Sequence, residues 1–253
     1  MTGPDPDGHG VMVVVPTYDE RENLPTLVHR LHATLPGLRI LVVDDGSPDG
    51  TGALADEMAA DDARITVLHH GPRAGLGKAY ADAFAAVVAD ADTTVQWVVQ
   101  MDADGSHEPE QLPRLLAAAG DADLVLGSRY VPGGEIPDWS RHRRELSRVG
   151  NVYSRALLEL PVHDVTGGYR VFRRHVLADV TVSSVSSQGY CFQVDMVYRV
   201  HRAGFRIREV PITFTERVRG TSKMSGSVVR EALWRVTSWG LRDRWRRIWR
   251  HRR

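Results

Sequence analysis

Cysteine is almost absent from this chain of 253 residues. Cys191 is the only one, which excludes an intrachain disulfide and fits a reducing compartment. No apolar run approaches the roughly 20 residues that span a bilayer. Residues 1–10 lack the charged-then-apolar pattern of a signal peptide and are expected to be disordered. These absences predict a cytoplasmic protein, soluble or peripheral on a membrane. The turn after the first expected strand, Pro16-Thr17-Tyr18-Asp19-Glu20, contains no glycine, so the dinucleotide-binding reading fails at its diagnostic position. Gly75-Leu76-Gly77-Lys78 is no P-loop either: Gly71 to Gly77 is one residue too long, and Ala79 replaces the Ser or Thr. No Ser-His-Asp or Cys-His spacing, internal repeat or low-complexity segment is present.

Net charge is also missing, with 32 Lys and Arg against 32 Asp and Glu, yet its distribution is uneven. Residues 44–62 are acidic, whereas 235–253 are dense in arginine, a pattern that suggests a basic tail with an anionic partner. The length and a hydrophobic content of 42% suit one α/β domain with a small appendage.

Apolar runs of strand length at 11–15, 39–43, 65–68, 95–100 and 123–126 alternate with helical patterns at 20–35, 52–60, 77–89 and 110–119. In 20–35, Leu24, Leu27, Val28, Leu31 and Leu35 share one helical face. Residues 131–139 read as a long loop, and 146–160 and 188–203 as helices on either side of segment 164–172. A last strand at 206–214 precedes a loop and a final helix from 228. This alternation predicts an α/β fold, a Rossmann-like and mostly parallel sheet flanked by helices. Ligands of such sheets bind beyond the carboxyl ends of the strands. Pro16-Thr17-Tyr18, Asp44-Asp45, Asp102 with Asp104, and Gly127-Ser128-Arg129 all fall there.

Met101-Asp102-Ala103-Asp104 is the most informative of these. In extended chain, residues i and i+2 point the same way, so Asp102 and Asp104 can converge on one hard cation such as Mg²⁺ or Mn²⁺. A metal held by one or two carboxylates takes its other ligands from water and substrate phosphates. The inference is a metal-bridged diphosphate. His107 follows closely and either ligates the metal or faces solvent, the latter being favoured. Turn and cap chemistry explains 47–51, but not two adjacent aspartates, 44 and 45, whose carboxylates suit ribose hydroxyls or a base. Arg217, Arg219 and Lys223 put three cations in a Gly/Ser loop, read as a lid over the diphosphate. Arg141, Arg143, Arg144 and Arg148 either flank an acceptor anion or are solvated.

Taken together, Val15-Pro16-Thr17-Tyr18-Asp19-Glu20-Arg21-Glu22-Asn23-Leu24, Val43-Asp44-Asp45-Gly46-Ser47-Pro48-Asp49-Gly50-Thr51, the Asp102–Asp104 motif, Gly127-Ser128-Arg129-Tyr130, Ser147-Arg148, Asp164-Val165-Thr166-Gly167-Gly168-Tyr169-Arg170, Glu216-Arg217 and Gly220-Thr221-Ser222-Lys223 carry a resemblance. The chain resembles the polyprenol-phosphate mannosyltransferases of the dolichol-phosphate mannose synthase type, inverting GT-A glycosyltransferases. The resemblance implies GDP-mannose as donor and a polyprenyl (dolichyl-type) monophosphate as acceptor. It implies that Pro16, Tyr18, Glu20, Val43 and Asp45 hold the guanosine, and that Asp102, Ala103 and Asp104 carry metal and diphosphate. It further implies that Arg129 meets phosphates of donor or acceptor, with Arg144 and Ser147 beside the acceptor phosphate, and that Arg217 and Lys223 clamp the diphosphate. Two departures stand out. Asp19 replaces the usual Asn, and Ser106 stands where some relatives carry a glutamine metal ligand, which leaves that place to water.

Residues 11–226 are thus expected to form the catalytic domain and 227–253 a basic, membrane-associating tail. Trp234, Leu241, Trp245 and Ile248 form one helical stripe with Trp249 beside it and arginines over the remainder, the pattern of an interfacial amphipathic helix. The competing reading is a helix packed on its own domain, and Gly240 weakens the first. Peripheral attachment at the cytoplasmic face leaves room for a separate membrane-anchor subunit. The same fold transferring glucose or another sugar from a UDP-sugar is the nearest alternative. A non-catalytic nucleic-acid-binding protein leaves the paired aspartates unexplained, so no nucleic-acid partner is expected.

Overall fold

The computed structural model describes residues 3–71, 73–180, 182, 189–216 and 226–250. Its strands are β1 (Val11–Thr17), β2 (Arg39–Asp44), β3 (Ile65–His69), β4 (Trp97–Gln100), β5 (Leu124–Ser128), β6 (Arg170–Arg173) and β7 (Ile207–Pro211). They form one sheet in the order β3-β2-β1-β4-β6-β5-β7. Only β6 runs against its neighbours, pairing antiparallel with β4 and β5. The helices are α1 (Leu24–Thr34), α2 (Thr51–Asp61), α3 (Leu76–Ala89), α4 (Leu112–Ala119), α5 (Arg141–Leu158), α6 (Arg174–Asp179), α7 (Gly189–Arg202) and α8 (Gly226–Arg250).

The sheet is covered on both faces, which is why its strands are uninterrupted apolar runs. Every residue of β1 is buried. Val11, Val13 and Val15 pack with Leu24, Leu27 and Leu31 of α1 and with Leu112 and Leu115 of α4. Met12 and Val14, pointing the other way, pack with Tyr80 and Phe84 of α3 and Phe192 of α7. Residues 5–10, expected to be disordered, make turns against the end of α1, where the Gly37 amide donates to the Asp7 carbonyl at 2.7 Å.

Several elements differ from their expected limits: α1 starts at Leu24 rather than 20 and β7 ends at Pro211 rather than 214, and two others differ more. α5 starts at Arg141, not at 146, capped by Ser140, whose hydroxyl accepts from the Arg143 amide at 3.3 Å. Residues 164–169 are an irregular loop ahead of the four-residue β6.

α8 has one face packed on the domain and one exposed. Val236, Gly240 and Asp243 are buried, and Tyr153 of α5 shares a 2.6 Å hydrogen bond with Thr237. A Cβ at Gly240 would lie 2.7 Å from the Leu157 carbonyl oxygen, so glycine here permits close approach of α5 and α8. Trp234, Leu241 and Trp245 are exposed, while the side chains of Ile248 and Trp249 lie outside the described residues.

Candidate active site

At the carboxyl end of β4, Asp102 is half-buried and Asp104 is buried. Tyr80 of α3, fully buried, donates its phenol to Asp102 Oδ1 at 2.8 Å. Burial first, then the Asp102 charge and hydrogen bond, and finally Asp104, push the Tyr80 phenol well above its ordinary pKa. Both carboxylates therefore act on one phenol. Ser106 donates its amide (3.1 Å) and its hydroxyl (2.6 Å) to Asp104 Oδ1. Its hydroxyl is thus committed to orienting Asp104. Among the described residues no third carboxylate or imidazole converges on this pair; the only such triad, Asp5, Asp7 and His9, is exposed at the amino terminus. Two carboxylates offering hard oxygens fit Mg²⁺ or Mn²⁺ with water and phosphates as remaining ligands.

His107 corrects the solvent-facing expectation. It is buried, its Nδ1 accepts from the Asp102 amide at 3.1 Å, and its ring stacks on Tyr169 at 5.1 Å. The imidazole supports the turn that carries both aspartates.

Pro16 and Val43 stand opposite one another in the β1–β2 ladder, both buried. Beyond them Tyr18 is half-buried beneath Arg73, whose guanidinium carbon lies 4.0 Å from the ring centroid. Asp19 takes a left-handed conformation (φ 59), which Asn and Asp tolerate best among non-glycine residues, so its replacement of Asn preserves the turn. Glu20 accepts from Asn23 Nδ2 at 2.7 Å. Turn chemistry explains more of the paired aspartates than expected. Asp44 accepts the Ser47 hydroxyl (2.5 Å) and amide (3.2 Å). Asp45 is buried and accepts the amides of Ala74 and Gly75, each at 2.8 Å, which ties the loop before α3 to the end of β2.

The fourth cluster lies past β5. Arg129 is buried and grips Asp164 with Nε at 2.7 Å and Nη2 at 2.8 Å. Burial alone would raise the Asp164 carboxyl, but the Arg129 charge and hydrogen bonds outweigh it and hold it below the usual range. The guanidinium carbon lies 5.3–5.5 Å from the ring centroids of Tyr130, Trp139 and Phe214. Thr166 Oγ1 accepts from Arg129 Nη2 (2.8 Å) and from Asn151 Nδ2 (3.1 Å), joining this ion pair to α5. Two turns back on α5, Arg144 donates from Nη2 to the Ile136 carbonyl at 2.9 Å. Three buried polar atoms here have no hydrogen-bond partner among the described residues: Trp139 Nε1, Arg144 Nε and Ser147 Oγ. Buried donors without partners cost free energy, on the order of 1–3 kcal/mol each, and mark a place suited to an acceptor-rich ligand.

Loop 164–169 joins the two halves. Asp164 holds Arg129, and a Cβ at Gly168 would sit 3.2 Å from Asp102 Oδ2, a tight contact that glycine avoids. Arg170, fully buried, fixes the loop through the carbonyls of Gly167, Val165 and Gln193, each at 2.9 Å. Burial lowers its pKa to about 9. Arg217, Arg219 and Lys223 lie outside the described residues. The chain leading to them does reach the site: Thr215 donates its hydroxyl to the Gly105 carbonyl at 3.3 Å, and the Glu216 amide donates to Asp138 at 3.2 Å.

Sequence reasoning had named the carboxylates, Arg129, Arg144 and Ser147. It missed Tyr80, Trp139 and Asn151, which lie on helices and a loop where nothing local marks them. Asp164 and Arg170 were within a recognised motif, without their roles.

Comparison with known proteins places these features. The family model described as "Glycosyl transferase family 2" matches residues 12–181. A polyprenol monophosphomannose synthase of Mycolicibacterium smegmatis is 54% identical over 235 residues, 92% of this chain and 88% of that protein. An undecaprenyl-phosphate mannosyltransferase of Micrococcus luteus is 49% identical, covering 93% of this chain and 96% of its own. Among solved structures, glucosyl-3-phosphoglycerate synthase of Mycobacterium tuberculosis with phosphoglyceric acid superposes with a TM-score of 0.65 at 21% identity, over 92% of this chain and 80% of the other. The same synthase, solved with Mn²⁺, UDP and its product, gives 0.62 at 20% identity, over 89% and 78%. At that identity the likeness shows the fold, which is the GT-A architecture expected from the sequence.

Proposed function

The chain belongs to glycosyl transferase family 2, and from that premise we propose that it transfers mannose from GDP-mannose to a polyprenyl monophosphate, with inversion at the anomeric carbon. The product is a polyprenyl-phosphate mannose, a lipid-linked sugar donor. Two relatives, 54% and 49% identical, are named for mannosyl transfer or monophosphomannose synthesis on polyprenol carriers, which supports both sugar and acceptor class.

One observation carries the reading: paired carboxylates and, around the buried Arg129–Asp164 pair, a cluster of buried donors unpartnered among the described residues are held on either side of loop 164–169. The first suits a diphosphate with Mg²⁺ or Mn²⁺; the second suits the acceptor phosphate. Asp102 and Asp104 would hold the ion, which supplies charge neutralisation to the departing diphosphate. Pro16, Tyr18, Glu20, Val43 and Asp45 border the guanosine end, and Ala103 lies between the ligands.

An acceptor phosphate oxygen is already ionised at neutral pH, so no general base is needed. That oxygen forms a bond to the anomeric carbon from the face opposite GDP. The bond from that carbon to the β-phosphate oxygen breaks, its electron pair leaving with GDP. Arg144 Nε and Ser147 Oγ orient the attacking phosphate; Arg129, braced by Asp164, adds positive potential beside it. Arg217 and Lys223, outside the described residues, would add positive charge for the leaving diphosphate. Attachment is peripheral at the cytoplasmic face, with a separate membrane-anchor subunit compatible; no helix among the described residues is long and apolar enough to cross a membrane.

The test is incubation with labelled GDP-mannose, polyprenyl phosphate and Mg²⁺ or Mn²⁺, followed by organic extraction and assignment of the product anomer. Label in the organic phase, inhibited by GDP but not UDP and of inverted configuration, supports the reading. UDP-sugar transfer or a retained anomer contradicts it.

A further inference from the structure

Residues 70, 71 and 73–75, between β3 and α3, lie against the ends of β1 and β2. The Ala74 and Gly75 amides donate to Asp45, Arg73 lies over the Tyr18 ring, and a Cβ at Gly46 would sit 2.6 Å from the Gly71 carbonyl oxygen. His70 adds a contact of a different kind. Its backbone amide donates to the Asp44 carbonyl at 2.8 Å, and its ring Nδ1 lies 3.3 Å from Asp45 Oδ1. An ionised carboxylate only accepts, so Nδ1 is the donor between them.

The same ring reaches a third element. Nε2 is buried and lies 3.2 Å from Asp82 Oδ2 on α3, close enough for an ion pair but not aligned as a hydrogen bond. Asp82 is also paired with Lys78, one turn earlier on that helix. Lys78, Asp82, His70 and Asp45 thus form a row of alternating basic and acidic side chains, running from the surface of α3 to the end of β2. Its inner members are covered: the side chain of His70 is 11% exposed and that of Asp45 6%, against 54% for Lys78.

We infer that His70 is a positioning residue for the donor. It fixes the Asp45 carboxylate directly, and through Asp82 it fastens to α3 the loop that carries the Ala74 and Gly75 amides. Asp45 then meets the nucleoside already oriented, and little ordering remains when the donor binds. His70 touches no reacting atom in this arrangement, so its removal acts on donor affinity and leaves the chemical step alone. The inference rests on the reading that Asp45 borders the nucleoside; it does not depend on which base the nucleoside carries.

The experiment is calorimetric titration of the full-length protein with GDP and with UDP, Mg²⁺ being present, alongside steady-state transfer. His70→Ala should weaken nucleotide binding and raise KM for the donor about tenfold, with kcat and KM for the acceptor within about twofold. His70→Asn, whose amide nitrogen takes the place of Nδ1, should recover most of that loss. His70→Leu, which fills the space without a donor, should not. Asp82→Ala, at a side chain 37% exposed, should raise KM for the donor about threefold. Thermal melting reports whether each variant folds, and the Asp82 variant decides the matter if those of His70 do not. Unchanged nucleotide affinity in His70→Ala, equal recovery in His70→Leu and His70→Asn, or an unchanged donor KM in Asp82→Ala overturns the inference. Binding of UDP in place of GDP, weakened in His70→Ala, upholds it and refutes GDP-mannose as the donor. Binding of neither nucleotide by the wild type overturns both.

Discussion

The proposed donor side of the site and the proposed acceptor side are built differently. Around the ends of β1, β2 and β4, nearly every polar side chain is already bonded by the protein: Asp44 by Ser47, Asp45 by Ala74 and Gly75, Asp102 by Tyr80, Asp104 by Ser106. The acceptor side, from β5 to α5, holds a buried ion pair, three buried donors without partners among the described residues and an exposed apolar stripe. The donor side is preorganised and costs little reorganisation on binding; the acceptor side keeps capacity in reserve for a ligand that is part anion and part hydrocarbon.

The sharpest way to break this contrast is Asp104→Asn, which removes a metal oxygen while leaving bulk unchanged. Loss of transfer by about a thousandfold or more is expected, with an unchanged thermal midpoint; near-normal mannolipid formation with metal supplied would sink the donor-side account. Next is Asp164→Ala, which leaves the Arg129 guanidinium buried without its carboxylate. It should destabilise the fold by about 3–5 kcal/mol in urea titrations. The same pair predicts a pH effect with a definite sign. Asp164 has a folded pKa below its unfolded value of 3.8, so its contribution is complete above that value and disappears as pH falls below it. Wild type should lose stability in that acid window more steeply than Asp164→Asn. Tyr80→Phe deletes the phenol that fixes Asp102 and should weaken Mn²⁺ binding about tenfold, read by paramagnetic resonance. A variant with unaltered affinity would show that Asp102 needs no such support. Smallest is Ser147→Ala, expected to raise KM for the acceptor about three- to tenfold with KM for the donor unchanged. An equal change in both would erase the division between the two sides.

The two sides were also unequally legible. Val-rich β1 and β2, followed at once by their polar residues, announce strand, direction and site together, because a buried parallel strand must end where its ligands begin. The acceptor side is assembled across distance. Asp164 meets Arg129 from 35 residues away and Thr166 meets it from 37, and even on the other side Tyr80 reaches Asp102 from 22. No periodicity reports such pairs. The start of α5 was missed because 141–145 is charged and its exposed face has no apolar rhythm; the Ser140 cap was its only local mark. His107 was misplaced for a related reason: a polar ring past a strand end looks solvent-facing until Tyr169 and Phe214 close over it. Gly240 looked like a helix weakness and is a helix contact.

Titrating Mn²⁺ into the full-length protein with GDP present, followed by paramagnetic resonance, interrogates the core of this account most directly. One ion per chain, bound tightly only with GDP and lost in D102N/D104N, is the predicted result. Undiminished binding of that ion by the double variant would contradict it.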